Sequence, residues 1–155
     1  MVPINAAEIL RQTAARLGFD AFGIAPARAP DHAQDLHEWL SRSFQGEMNW
    51  MERDPETRAD PNRYDPTART ILVAGVSSRQ TAPPLRRGRI AAYAQGADYH
   101  DWLREKLEAL ARETLIPWGA QYRVCVDTSP LLEKPLAALA GLGWQGKNTL
   151  LIHRE

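Results

Sequence analysis

Apolar residues recur at helical spacing near the start of this chain. Ile9, Leu10, Ala14 and Leu17 fall on one side of a 3.6-residue repeat, which predicts a helix with a single buried face. Asn5-Ala6-Ala7-Glu8 ahead of it has the form of a capping box, and Gly18 after it predicts a left-handed stop. Phe19 to Ala25 reads as a short strand closed by Pro26. Asp31 and Gln34 repeat the capping pattern before a second helix, whose apolar face is Leu36, Trp39 and Leu40. Gly46 to Met51 (G-E-M-N-W-M) reads as a further short helix. Its large side chains suit either core packing or a hydrophobic wall for a flat ligand.

Residues 54–69 hold three prolines among alternating charges and read as a loop. Thr70 to Val76 is a continuous apolar, β-branched run, the pattern of a strand buried on both faces. Residues 77–89 are polar, with Pro83-Pro84, and read as a second long loop; long loops in compact domains often rim a site. Asp98 is placed to cap the longest helix, about 99–115, with a stripe of Leu103, Leu107, Leu110, Ala111 and Leu115, ended by Pro117 and Gly119. Gln121 to Val126 predicts a third strand. A helix follows within Pro130 to Leu142, its regular part starting near Lys134, and Thr149 to Ile152 reads as a last short strand. Strands separated by long connections and helices predict an α/β fold, a layered domain with a mixed sheet flanked by helices. No internal repeat and no interior domain boundary is evident, so residues 1–155 read as one region.

Composition narrows the functions open to such a domain. Its 155 residues are 44% hydrophobic and 25% charged, an ordinary globular balance. Nineteen basic residues offset nineteen acidic ones, so no global field draws the chain to nucleic acid or anionic lipid. The densest basic group is Arg86, Arg87 and Arg89, readable as a solvated loop or as a local polyanion contact. Cys125 is the only cysteine, which excludes an internal disulfide and any zinc or iron–sulfur site built from cysteine alone. It lies in an apolar run, where a small buried side chain is the usual role. No apolar run approaches the length of a membrane span and no leader pattern opens the chain, which predicts a cytoplasmic location.

The glycine-rich stretch near the end is open to several readings. Gly141 to Lys147 contains G-x-G-x-x-G, and Gly141 to Asn148 spells G-x-x-x-x-G-K-N. Dinucleotide and phosphate loops of those types need a strand before the glycines and a helix after them. Here the predicted order is reversed, and Asn148 stands where a magnesium-holding Ser or Thr is required. The alternative is a helix end using Gly141 or Gly143 as its left-handed cap, with Gly146 in a following turn.

Several ordered stretches carry a resemblance. Asp127 to Glu133 (D-T-S-P-L-L-E), Ala140 to Ile152 (A-G-L-G-W-Q-G-K-N-T-L-L-I), Ile90 to His100 (I-A-A-Y-A-Q-G-A-D-Y-H), Gly46 to Met51 and Arg58 to Pro61 (R-A-D-P) together resemble the epoxyqueuosine reductase family. The resemblance implies a corrinoid-binding fold and a cobalamin-dependent reduction of epoxyqueuosine to queuosine in tRNA, the last step of queuosine biosynthesis. It implies an N-terminal cobalamin-binding region followed by a part holding two iron–sulfur clusters that feed electrons to the cofactor. The acid of the D-T-x-P motif, the family's proposed proton donor, falls on Asp127. From the residues alone, a cap for the following turn or helix is the favoured reading of Asp127. As an acid it would be favoured by desolvation between apolar Val126 and a closely packed corrin face.

Lys147 and Asn148 are candidates for holding amide, phosphate or nucleotide-loop groups of cobalamin, with simple surface solvation the competing reading for Lys147. Arg58 is a candidate contact to cofactor or substrate phosphate. Tyr93, Tyr99 and His100 are candidates to line the corrin or the modified base, and no residue is assigned as a metal ligand. Two departures stand out. Val76 to Gln80 reads V-S-S-R-Q where the family carries an aromatic-containing stretch. The cluster-binding cysteines are also missing, so the chain reads as truncated at its C-terminus. An iron–sulfur domain or electron donor in another chain is then the implied partner beside tRNA. The alternative is a non-catalytic corrinoid-binding remnant or module.

Overall fold

The computed structural model describes residues 2–31, 33–77, 91–94 and 97–154. The Arg86, Arg87 and Arg89 cluster, nearly all of the predicted 77–89 loop and the V-S-S-R-Q segment from Ser78 onward lie outside the described residues. In chain order the elements are α1 (Ala6–Arg16), β1 (Ala21–Pro26), α2 (Ala33–Ser41), a 3-10 turn (Asn49–Glu52), α3 (Pro55–Ala59), α4 (Pro61–Tyr64), β2 (Thr70–Gly75), a second 3-10 turn (Ala92–Ala94), α5 (Tyr99–Glu113), α6 (Glu133–Leu139), β3 (Trp144–Gln145) and β4 (Leu151–Ile152). The α/β class is as expected. The single mixed sheet is not: the described residues form two two-stranded sheets, β1 with β2 and β3 with β4. The predicted strand at Gln121 to Val126 is absent from both. Of that run only Val126 is buried, at 6% exposure, and Gln121, Tyr122 and Arg123 are exposed. No described helix is long and apolar enough to cross a membrane.

The chain gathers into two units, Met1–Phe22 with Ala74–Val126, and Gly23–Val73 with Asp127–Glu155. In the first, α1 and α5 pack together and bury Leu10, Ala14, Leu110 and Ala111. Each leucine so buried contributes about 2 kcal/mol of hydrophobic stabilisation. The α1 helix ends as its sequence predicts. Gly18 sits at φ +80, its N–H donates to Ala15 O (3.0 Å), and Phe19 N–H donates to Ala14 O (3.0 Å). Lys106 completes that end: its Nζ donates to Leu17 O at 2.6 Å and lies 4.5 Å from the centre of the Trp102 ring.

The capping box at the other end of α1 does not form. The Asn5 side chain makes no cap bond, and Glu8 instead accepts from Gln12 Nε2 one turn on (2.7 Å). Asp98 does cap α5, accepting from His100 N–H at 2.9 Å. Leu115 falls just beyond α5, in the turn that reaches Gly119 at φ +73.

In the second unit, residues 54–69 are not simply loop. Asp54 accepts from Thr57 N–H (3.1 Å) and starts α3, and Asp60 accepts from Asn62 N–H (2.9 Å) and starts α4. Pro55 and Pro61 stand in the first turn of these helices, where a missing N–H costs nothing. Prolines read as breakers are therefore starters. The α2 helix begins at Ala33, and Asp31 ahead of it pairs with Arg28 at 3.4 Å. The β2 strand is half-buried along most of its length, not enclosed on both faces.

The end of α6 packs against β1 and leads into the β3–β4 hairpin. Gly141 at φ +80 closes α6, with Gly141 N–H to Ala138 O and Leu142 N–H to Ala137 O, both 3.0 Å. Gly23 of β1 lies so close that a Cβ there would sit 2.2 Å from Leu142 Cδ1 and 2.3 Å from Ala140 O. The hairpin is antiparallel, pairing Trp144 with Ile152 and Gln145 with Leu151.

Candidate functional site

All four residues singled out for chemistry, Arg58, Asp127, Lys147 and Asn148, belong to the second unit. Asp127 is its first residue after the apolar run ending at Val126. Its backbone is left-handed at φ +50, a conformation that Asp tolerates better than most side chains. Its N–H donates to Glu133 Oε1 at 2.9 Å, so a side chain at the start of α6 reaches back to hold it. Asp127 does not cap α6: the cap position is Leu132, with no side-chain bond. Asp127 is exposed rather than buried.

Lys147 and Asn148 occupy the hairpin turn. Gly146 N–H donates to Leu150 O (2.8 Å), Thr149 N–H donates to Gly146 O (2.9 Å), and Thr149 is left-handed at φ +67. This is a tight turn followed by a left-handed residue, a common way to close a short hairpin. Lys147 and Asn148 are its two central residues and both are exposed. Asn148 Oδ1 accepts from Leu150 N–H at 3.3 Å, which gives that residue a turn-forming role of its own. Helix first, hairpin after: the phosphate-loop readings of the glycines are excluded, and Gly141 is the cap.

Arg58 lies in the last turn of α3 with its guanidinium 5.5 Å from the centre of the Trp50 ring. Trp50 is 52% exposed and Met48 41%, so the G-E-M-N-W-M segment is surface rather than core. Arg58 Nε is buried without a hydrogen-bond partner, as are the acceptors Gln45 Oε1 and Gln145 Oε1. Unpaired buried polar atoms are costly and mark places where another molecule can complete the bonding. Near Arg58, hydrogen bonds from Thr57, and then the positive charges of Arg63 and Arg58, hold the Asp54 carboxyl below the usual aspartate range. A hollow of about 410 Å³ is lined by Gly141, Leu142, Gly143, Trp144, His153 and Arg154, none of them among the four. Among the described residues no three His, Cys, Asp or Glu side chains gather as a metal site.

The structure thus joins Lys147 to Asn148, Asp127 to Glu133 and Arg58 to Trp50. Asp127 and the hairpin turn stand at opposite ends of α6 in the chain, and Arg58 is on a separate helix. In the first unit, Tyr99 stacks on His100 at 4.2 Å, and Tyr93 meets Tyr99 edge-on at 5.9 Å. His100 Nδ1 lies 2.7 Å from Asp98 Oδ1, and the backbone and ring bonds from His100 lower the Asp98 carboxyl below its ordinary value. Sequence reasoning missed Glu133, Gln45 and Gln145. Glu133 was within reach, since it closes the D-T-S-P-L-L-E motif that Asp127 opens.

Comparison with known proteins defines the class. The family model described as "Epoxyqueuosine reductase QueG, DUF1730" matches residues 58–128. The epoxyqueuosine reductase of Escherichia coli K12 is 35% identical over 159 residues, covering 96% of this chain and 41% of that protein. A crystal structure of epoxyqueuosine reductase with an epoxyqueuosine-modified tRNA-Tyr stem loop superposes with a TM-score of 0.79 at 31% identity, covering 96% of this chain and 41% of that one. The Bacillus subtilis enzyme, solved with its aspartate catalytic loop swung out of the active site, gives a TM-score of 0.76 at 29% identity, over 96% and 41%. Over nearly its whole length the chain is similar to epoxyqueuosine reductases. It spans about two-fifths of the length of the curated relatives it matches.

Proposed function

We propose that this chain is the cobalamin-binding, acid-bearing part of an enzyme that reduces epoxyqueuosine to queuosine in tRNA. One observation carries the reading: D-T-S-P-L-L-E and G-L-G-W-Q-G-K-N occur in order within a chain 31% identical to a reductase solved with epoxyqueuosine-modified tRNA. The net reaction takes two electrons and two protons, breaks both carbon–oxygen bonds of the epoxide, and leaves an alkene and water. Oxygen leaves poorly unless it is protonated, so the chemistry needs a positioned acid. Asp127 is that acid, delivering its carboxyl proton to the departing oxygen. A flat group packed against the loop would desolvate that carboxyl.

The residues present fit cobalamin. Its rim carries carboxamides, each with donors and an acceptor, and the second unit has a buried unpaired donor at Arg58 Nε and buried unpaired acceptors at Gln45 and Gln145. Arg58, Gln45 and Gln145 would hold those amides, Lys147 and Asn148 would meet phosphate or amide groups from the hairpin turn, and exposed Trp50 and Met48 offer an apolar wall. When bound, cobalamin supplies the reducing electrons beside the epoxide. With Cys125 the only cysteine in these 155 residues, iron–sulfur clusters that recharge it would be held outside them. The alternative, a corrinoid-binding module without catalysis, predicts cofactor binding and no turnover under any supply of electrons.

The test is conversion of epoxyqueuosine-containing tRNA by the chain, the polypeptide supplying the family's remaining length, cobalamin and a low-potential reductant. Loss of one oxygen from the nucleoside by mass spectrometry is expected. No conversion, where an intact relative converts the same tRNA, overturns the proposal.

A further inference from the structure

We infer that Glu133 is a positioning residue, a latch that holds Asp127 in its left-handed conformation and so fixes where the acid loop begins. The inference rests on the reading of Asp127 as the proton donor. A non-glycine residue at positive φ persists only where its surroundings hold it there. At Asp127 (φ +50) the holding contact is the 2.9 Å bond from its N–H to Glu133 Oε1. A carboxylate accepting from a backbone N–H is among the stronger hydrogen bonds.

The two ends of this bond differ in firmness. Glu133 is the first residue of α6, whose Leu136 and Ala137 are 3% and 5% exposed and whose far end is closed by the Gly141 cap. Residues 128–132 between them form neither helix nor strand, with Leu131 N–H turned back onto Ser129 O at 2.8 Å. A five-residue excursion is therefore closed by a side chain anchored on a packed helix. Glu133 acts through Asp127 and needs no contact with substrate.

Amide hydrogen exchange on the ¹⁵N-labelled chain tests this without any turnover. The Asp127 amide is expected to exchange at least about tenfold faster in Glu133→Ala than in the wild type. The amides of Gly141 and Leu142 report whether α6 is still formed, and are expected to keep their protection. Glu133→Gln retains an acceptor oxygen and is expected to keep most of the Asp127 protection. Equal exchange of Asp127 in wild type and Glu133→Ala overturns the latch. So does Glu133→Gln behaving like Glu133→Ala, since charge at the helix start rather than the bond would then be responsible. If Glu133→Ala also exposes Gly141 and Leu142, the comparison of wild type with Glu133→Gln decides by the same criterion. Asp127→Asn leaves the backbone bond intact, so protected exchange with undiminished turnover in that variant would remove the acid and spare the latch.

Discussion

Gly23→Ala is expected to destabilise the second unit by about 3 kcal/mol, at the upper end of what overpacking costs. The new Cβ would lie 2.3 Å from Ala140 O and 2.9 Å from Ala140 Cβ, besides 2.2 Å from Leu142 Cδ1. The leucine methyl can swing aside. The Ala140 carbonyl cannot, because it belongs to the helix end that Gly141 closes. Relief requires β1 to move off the end of α6. Reduced freedom of the unfolded chain would return about 0.4–1 kcal/mol to an alanine, too little to offset the clash. Gly141→Ala is the contrast: nothing lies within 4 Å of a Cβ there, and only the strain of φ +80 remains, about 1 kcal/mol. Urea midpoints at constant slope measure both. An unchanged midpoint for Gly23→Ala would mean that α6 does not sit against β1 as described.

Asp127→Asn is expected to lower turnover of epoxyqueuosine tRNA by about 10²–10⁴-fold, the range that a positioned general acid contributes. The substitution suits the question. Asparagine matches aspartate in size, tolerates the left-handed region, and keeps the N–H that Glu133 grips. What it loses is the ability to surrender a proton to a departing oxygen. The KM for tRNA is expected to stay close to that of the parent, because the change removes a transition-state contribution rather than uniform binding. Turnover within a few-fold of the parent would take Asp127 out of the mechanism.

How much of this was legible in the sequence differs by element. The ends of α1 and α6 were readable because a glycine after a helix carries its own instruction: Gly18 and Gly141 both stand at φ +80 with the paired bonds that such ends use. The run at Gln121 to Val126 misled because only its end at Val126 is buried, and a strand also needs a neighbour to pair with. Pro55 and Pro61 misled in the opposite sense, since proline breaks a helix only from inside it. For the site, Asp127, Lys147 and Asn148 were found as motif letters, yet their conformations were not. A left-handed backbone at Asp127, and a glutamate six residues on that holds it, depend on how α6 docks. The unpaired atoms of Arg58, Gln45 and Gln145 are likewise invisible until the chain is folded, because residue type does not report whether a partner is in reach.

Cobalamin binding by the second unit is the proposal on which Asp127 chemistry depends. Titrating the purified chain with cobalamin, and following the cofactor's visible absorbance, tests it most directly. A saturable spectral change is expected by high micromolar cofactor, weakened in Arg58→Met, which keeps an apolar stem over Trp50 but removes the buried donor. A cofactor spectrum that does not change at those concentrations would contradict it.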